Sequence, residues 1–207
     1  MTEVRLSRRG EGHAVADLAR LALSHLPEEP HQKTGDLAET VNELGGRFSL
    51  TYGHGHCFTA HDGQSVVGMA YMAPLIQWIE MRPERVRTKL ARALAELELL
   101  AVMEGHRKQG VGDSLLKAVE EQAKANGTRL LVAKVPAGDR KLQLWYRRRG
   151  YTIAAPKESI IFRTAAGLDG FSPEDDRHQL VVKALQAGDT VRRESANGES
   201  ALVAQQA

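Results

Sequence analysis

The residues with the most chemistry to offer lie between Ala95 and Gly112, in the run AELELLAVMEGHRKQGVG. Gly110 and Gly112 punctuate a turn that opens a helix, and the first N–H groups of a helix have no partner inside it. Those amides, backed by the positive end of the helix dipole, make an anion site. Glycine leaves no Cβ in the path of an approaching phosphate. Just upstream, Glu96, Glu98, Leu100 and Val102 alternate with Leu97, Leu99 and Ala101. Strand geometry puts the two carboxylates on one face, roughly 7 Å apart. Repulsion and desolvation both raise a carboxylate's pKa, and a raised carboxylate is what a general base requires. The competing reading has both glutamates facing solvent on a helix that runs on from the preceding segment through Leu99.

A turn of this kind needs a buried strand before it and a helix after it. Leu97 to Val102 is a dense apolar run bounded by a loop. Asp113 to Asn126 repeats Leu115, Leu116, Val119 and Ala123 on one helical face and stops at Asn126-Gly127. Arg129 to Val135 reads as a strand buried on both faces. Asp139 caps a helix to Arg149, with Arg147, Arg148 and Arg149 in the last turn and Gly150 as its stop. Tyr151–Ile153 and Ser159–Arg163 follow as two strands. Upstream, Thr2–Ser7 is a strand, and Gly12–Leu26 is a helix stopped by Pro27 and Pro30. Asp36 and Glu39 have capping-box spacing for a second helix, ended by Gly45 and Gly46. His56–His61 and Gln64–Met72 form a hairpin across Asp62-Gly63. Pro83 starts a helix over about 83–94. The order gives an α/β layout with strand–helix–strand units in its second half.

After Thr164 the composition changes. Residues 173–187 read as an amphipathic helix carrying Leu180, Val181 and Leu185, and 188–207 as a disordered, polar tail. The expected organisation is one domain over 1–164 and an extension over 165–207. The 207 residues, 42% of them hydrophobic, suffice for one substantial core. A net charge of +2 is too small to point to nucleic acid. The single cysteine, Cys57, excludes an intrachain disulfide and fits a reducing compartment. No apolar run has signal-peptide or bilayer-spanning length, so a cytoplasmic protein with no membrane partner is expected. His54, His56, Cys57 and His61 lack a second ligand pair at zinc spacing, and no metal is expected.

The strand, H-R-K-Q-G-V-G, helix, strand, then L-W-Y-R-R-R-G-Y resembles the GNAT superfamily of acyl-coenzyme A-dependent N-acyltransferases. Arg107, Gly110 and Gly112 fill its first signature, R/Q-x-x-G-x-G/A. Trp145, Tyr146, Gly150 and Tyr151 fill its second, an aromatic–Tyr–x–x–x–Gly–aromatic run. The match covers about 1–164 by element order and 96–151 by motif. It implies a central mixed sheet of six to seven strands flanked by helices, with a helical or disordered C-terminal extension. Acetyl-coenzyme A is the implied cosubstrate. Its pantetheine arm would run beside Leu100, Ala101 and Val102. Its pyrophosphate would sit on the N–H groups of Arg107, Lys108, Gln109, Gly110, Val111 and Gly112. Tyr146 would lie near the thioester sulfur. A family asparagine seven residues before that tyrosine is Asp139, which weakens one expected contact.

The implied acceptor is a primary amine, on a small molecule or a peptide. With a lysine-like pKa of about 10.4, only about one such amine in 2,500 is neutral at pH 7, a handicap of roughly 4.6 kcal/mol. A base is therefore worth having. Glu96 is placed slightly ahead of Glu98, and a water relay from either is left open. Proton transfer from Tyr146 to the departing thiolate is uphill by roughly 2 kcal/mol on ordinary pKa values, so that acid helps without being indispensable. The Leu100–Val102 backbone is a candidate donor to the developing oxyanion. A non-catalytic acyl-coenzyme A sensor, and a member acting on protein amines or aminoacyl-tRNA, are the competing functions. A homodimer is left open, and the acceptor's identity has no signature.

Overall fold

A computed structural model of the chain describes residues 2–24, 31–164, 167–171, 177–196 and 199–205. They fall into two compact units, Met1–Ile76 with Leu97–Gln122, and Gln77–Glu96 with Ala123–Ala207. In chain order the first half runs β1 (Glu3–Leu6), α1 (Gly12–Ala22), α2 (His31–Leu44), β2 (Arg47–Leu50), β3 (Gly53–Asp62) and β4 (Ser65–Pro74). It continues through α3 (Ile76–Glu80), α4 (Glu84–Ala93), β5 (Leu94–Val102), a 3-10 turn at Glu104–His106 and α5 (Val111–Ala125). The class is the expected one, helices flanking a large mixed sheet.

In the first unit β3 is the hub. β1 and β2 both pair with it antiparallel, and β4 pairs along most of its length, with Cys57 opposite Tyr71 and Ala60 opposite Gly68. The register slips between Ala60 and His61, which pairs with Val66 and leaves Val67 as an extra residue in β4. Helices α1 and α2 cover one face. Val15, Leu18, Ala19, Leu37 and Val41 recur at helical spacing and pack with Phe48, Cys57, Met69, Leu99 and Ala101. Helix α1 ends at Ala22, and the proline stop expected at Pro27 and Pro30 lies outside the described residues. Helix α2 starts at His31, so Asp36 sits inside it rather than capping it; its carbonyl accepts from the Thr40 hydroxyl.

Between α4 and β5 the chain changes state at one residue. Leu94 N–H closes the helix onto Leu90 O, and Leu94 itself is extended at φ −122°, ψ 135°. The stretch from Pro83 to Leu99 is therefore a helix and then a strand, not a single helix. In β5 the alternation is as read: Leu97, Leu99 and Ala101 are buried, Glu96, Leu100 and Val102 half-buried, and Glu98 exposed.

The second unit holds β6 (Leu130–Pro136), α6 (Arg140–Arg147), β7 (Thr152–Ile153), β8 (Ser159–Thr164), β9 (Gly167–Phe171), β10 (His178–Ala184), β11 (Thr190–Ala196) and β12 (Glu199–Gln205). β10 lies between β6 and β7 and pairs antiparallel with both. β11, β12, β8 and β9 form a separate four-stranded sheet in that order, with β12 parallel to β8. Two expectations are corrected. Where a helix was expected over 173–187, residues 178–184 are a strand, and 172–176 lie outside the described residues. Where 188–207 was expected to be disordered, 190–196 and 199–205 are paired strands. Buried Leu180, Val181 and Val182 are consecutive, the pattern of a strand covered on both faces rather than of one helical stripe. Arg193 fastens the second sheet, donating to Glu158 through Nε (2.7 Å) and Nη2 (2.8 Å) and to Ile153 O (2.9 Å).

Candidate active site

The turn leaving β5 is tied down from several sides within the first unit. Met103 N–H donates to the carbonyl of Val67 (2.9 Å), the extra residue of the β4 bulge. Arg107 Nε reaches back to Val102 O (3.0 Å), and Gln109 Nε2 to Gly105 O (2.8 Å). Lys108 and Gly110 have positive φ, 60° and 84°. A left-handed lysine is uncommon, and alternating backbone of this kind turns successive N–H groups toward a common point. Helix α5 begins its own ladder at Ser114 N–H to Gly110 O (3.0 Å), so the amides from Lys108 to Gly112 take no part in it. One expected donor is withdrawn. Arg107 N–H is spent on Glu104 O (3.2 Å), and Arg107's side chain braces the strand end.

The helix end is held by Gly68. A Cβ there would lie 3.0 Å from Ala101 O and 3.1–3.2 Å from Leu115 and Val111, so a larger residue would push α5 away from the strands. Gly110 is the reverse case: a Cβ would meet nothing within 4 Å. Its requirement is the positive φ alone, and open space faces it. Main-chain donors, a helix N-terminus and an open approach fit a diphosphate. The sequence thus located the turn. What it could not show is that Val102 O, one of the groups expected beside a pantetheine arm, is already held by Arg107.

The two glutamates differ in partners. Glu96 Oε1 is ion-paired to Lys134 Nζ on β6 at 3.2 Å. Glu98 is exposed, and its charge, with burial as the larger cause and Cys57 as a smaller one, pushes the Tyr71 hydroxyl pKa well above its ordinary value. Tyr71 stacks on Phe48 with ring centroids 5.9 Å apart. Sequence reading missed both of these partners. Lys134 carried a signal, as the lone charge between Leu130 and Pro136.

In the second unit, Asp139 is the N-cap of α6, accepting from Leu142 N–H (3.0 Å). Of the two roles expected of Asp139, this is the helix cap. Tyr146 is buried, edge-on to Trp145 (4.8 Å) and to Tyr151 (5.1 Å). Burial pushes its pKa well up, with Arg149 opposing weakly. Arg149 lies 3.9 Å over the Trp145 ring and donates to Trp145 O (2.6 Å), so this part of the arginine run braces the aromatic cluster. Cys57 is no nucleophile: burial raises its thiol to about 12.

Among curated proteins, none matches the chain in sequence. Among solved structures it resembles a GNAT-family acetyltransferase from Staphylococcus aureus Mu50 (13% identity, TM-score 0.60, 90% of this chain and 100% of that one). It also resembles a GNAT-family acetyltransferase from Streptococcus pneumoniae (18%, 0.58, 90% and 100%). A third likeness is to the ribosomal-protein-S18-alanine N-acetyltransferase from Escherichia coli (14%, 0.56, 90% and 95%). At these identities the likeness is one of fold. The sequence model of the acetyltransferase (GNAT) family matches residues 17–151, from the first helix through the aromatic run at Tyr146 and Tyr151. The chain belongs to the GNAT acetyltransferase family.

Proposed function

We propose that this protein transfers an acetyl group from acetyl-coenzyme A to a primary amine by direct attack in a ternary complex. The observation that carries the reading is the turn at Lys108–Gly112, with two left-handed residues, amides outside the α5 ladder and open space at Gly110. The cosubstrate supplies the activated acyl group. Lys108 to Gly112 hold its diphosphate through main-chain donors. Glu98, the more exposed of the two carboxylates, takes the acceptor's proton, directly or through a water. Tyr146 is the residue assigned to the departing sulfur, and its raised pKa makes it a reluctant acid there.

Among the described residues no helix is long and apolar enough to cross a membrane, and the protein is proposed to work in the cytoplasm as an enzyme without a metal. Two measurements test the reading. Coenzyme A and acetyl-coenzyme A should raise the melting temperature. Thiol release should then appear with a member of a panel of polyamines, aminoglycosides, amino acids, histone-like peptides and peptides with a free N-terminal alanine. Cofactor binding without turnover across such a panel would favour a sensor. No cofactor binding at all would remove the proposal.

A further inference from the structure

We propose that the first unit carries a second ligand site, for a small amino-acid zwitterion, whose occupancy is felt by the turn leaving β5. A solvent-open surface pocket of about 290 Å³ is lined by Glu3, Arg5, Arg8, Glu11, His61, Gly63 and Gln64, and it involves none of the residues assigned to the acetyl donor. That volume suits a small polar molecule.

The lining divides into spent groups and available ones. The Glu11 carboxylate accepts from Arg5 Nη1 (3.3 Å) and Nη2 (2.5 Å), Arg8 N–H (2.9 Å) and the Thr59 hydroxyl (2.9 Å). Four donors saturate it, and Arg5 is its counter-ion. Because Thr59 gives its proton to Glu11, its oxygen accepts from His61 Nε2 (3.1 Å). His61 Nε2 also lies 3.5 Å from Glu11 Oε1, so this ring nitrogen belongs to the same cluster. The groups outside this cluster are the Arg8 guanidinium and the Gln64 amide as donors, and the Glu3 carboxylate as acceptor. One cation and one anion remain after Arg5 and Glu11 cancel. The complement of that set is a molecule with a carboxylate at one end and an ammonium at the other.

The same hairpin that lines the cavity holds the turn leaving β5. Asp62, between His61 and Gly63, lies 3.5 Å from His106 Nε2. The bulge that follows the Ala60/His61 register slip presents Val67 O to Met103 N–H. A ligand that reorders His61 and Gln64 thus acts on a segment fastened at both ends of the 103–106 turn. Coupling requires that the ligand favour one arrangement of this hairpin.

The binding half of the proposal stands on the cavity alone; the coupling half rests on the acetyl-coenzyme A reading. Two-dimensional amide NMR of the full chain, titrated to millimolar levels with glycine, L-alanine, L-glutamine, L-glutamate and L-lysine, tests the first. Acetate and methylammonium serve as half-ligand controls. Saturable shifts at Arg8, His61 and Gln64 are expected with at least one amino acid, and roughly tenfold weaker binding in Arg8→Ala and in Glu3→Gln. Both side chains are exposed, so these variants should fold. No saturable shift with any amino acid, or equal affinity for acetate alone, overturns the zwitterion site. Coenzyme A affinity, measured with and without the amino acid, tests the second half. A change of roughly fivefold or more, lost in Asp62→Asn, is expected. Unchanged affinity overturns the coupling, whereas a chain that never binds coenzyme A sinks the acetyltransferase reading and leaves the site standing.

Discussion

At the scale of single residues, the assignments turn on each side chain's surroundings. Glu96 and Glu98 look equivalent in sequence, yet Glu96 is paired to Lys134 at 3.2 Å and Glu98 is exposed. An exposed carboxylate can pass the acceptor's proton on to bulk water. Glu98→Gln is expected to lower kcat/KM by about 10²-fold or more, the general-base range, and to flatten the acidic limb of the pH profile. Glu96→Gln should cost several-fold at most; if it proves the more damaging of the two, the assignment is reversed. Tyr146 makes a second case. Its ring is packed against Trp145 and Tyr151, and burial holds its hydroxyl protonated. An acid made weaker by its surroundings gives less help to a thiolate whose own pKa is about 8.5. Tyr146→Phe keeps the packing, and kcat is expected to fall nearer tenfold than a thousandfold. A pH-independent loss above about 10³-fold would show that the phenol does far more than this.

At the scale of elements, the turn and helix α5 form one device, and two glycines test its parts separately. In Gly110→Ala the new methyl meets nothing, so the cost is the left-handed backbone, about 1–2 kcal/mol. Coenzyme A affinity should fall roughly five- to thirty-fold as the turn relaxes, with little change in melting temperature. In Gly68→Ala the methyl collides with Ala101 O, Val111 and Leu115, so affinity and stability should fall together. A loss of affinity in both without the stability difference would mean that α5 is not seated through Gly68. These elements were legible because their signals are local: Pro83 before α4, Gly110 in the turn, Asp139 as the cap of α6. The tail was not, for two reasons. Leu180, Val181 and Leu185 fit a helical stripe as easily as part of a buried strand, and periodicity cannot separate the two over so short a run. Residues 190–205 are polar because Arg192, Arg193 and Glu194 are exposed, whereas Leu202, Val203 and Ala204 are buried. The Asn197-Gly198 dipeptide between them was the available hairpin signal. In the site, the turn was readable and the partners were not: Lys134 reaches Glu96, and Val67 reaches Met103, only through strand pairing.

At the scale of the whole molecule, three groups, two of them buried, set how the fold answers to acid. Glu11 is held below the ordinary carboxylate range: burial alone would raise it, but Arg5, Arg8 N–H and Thr59 together outweigh that. Glu158 is lowered chiefly by Arg193, with Ala155 N–H and Ser200 adding. Each gives stability that is full above the unfolded value of 4.5 and is lost as pH falls through the folded one. His56 acts earlier. It is 1% exposed, neither ring nitrogen has a hydrogen-bond partner among the described residues, and burial first, then Arg47 and His54, lower its pKa to about 4. Between about 4 and 6.5 the unfolded chain binds a proton at this position that the native one refuses, so stability rises with pH across that window and declines as pH drops through it. The full effect is on the order of a few kcal/mol. The melting temperature should therefore begin to fall near pH 6, before the Glu11 and Glu158 contributions are lost. A His56→Leu variant removes this proton linkage, so its melting temperature should fall less than the parent's from pH 7.5 to pH 5.5, even if the substitution shifts both curves. An imidazole signal for His56 that titrates near 6.5 in the folded protein, or parallel curves for parent and variant, would place the acid sensitivity elsewhere.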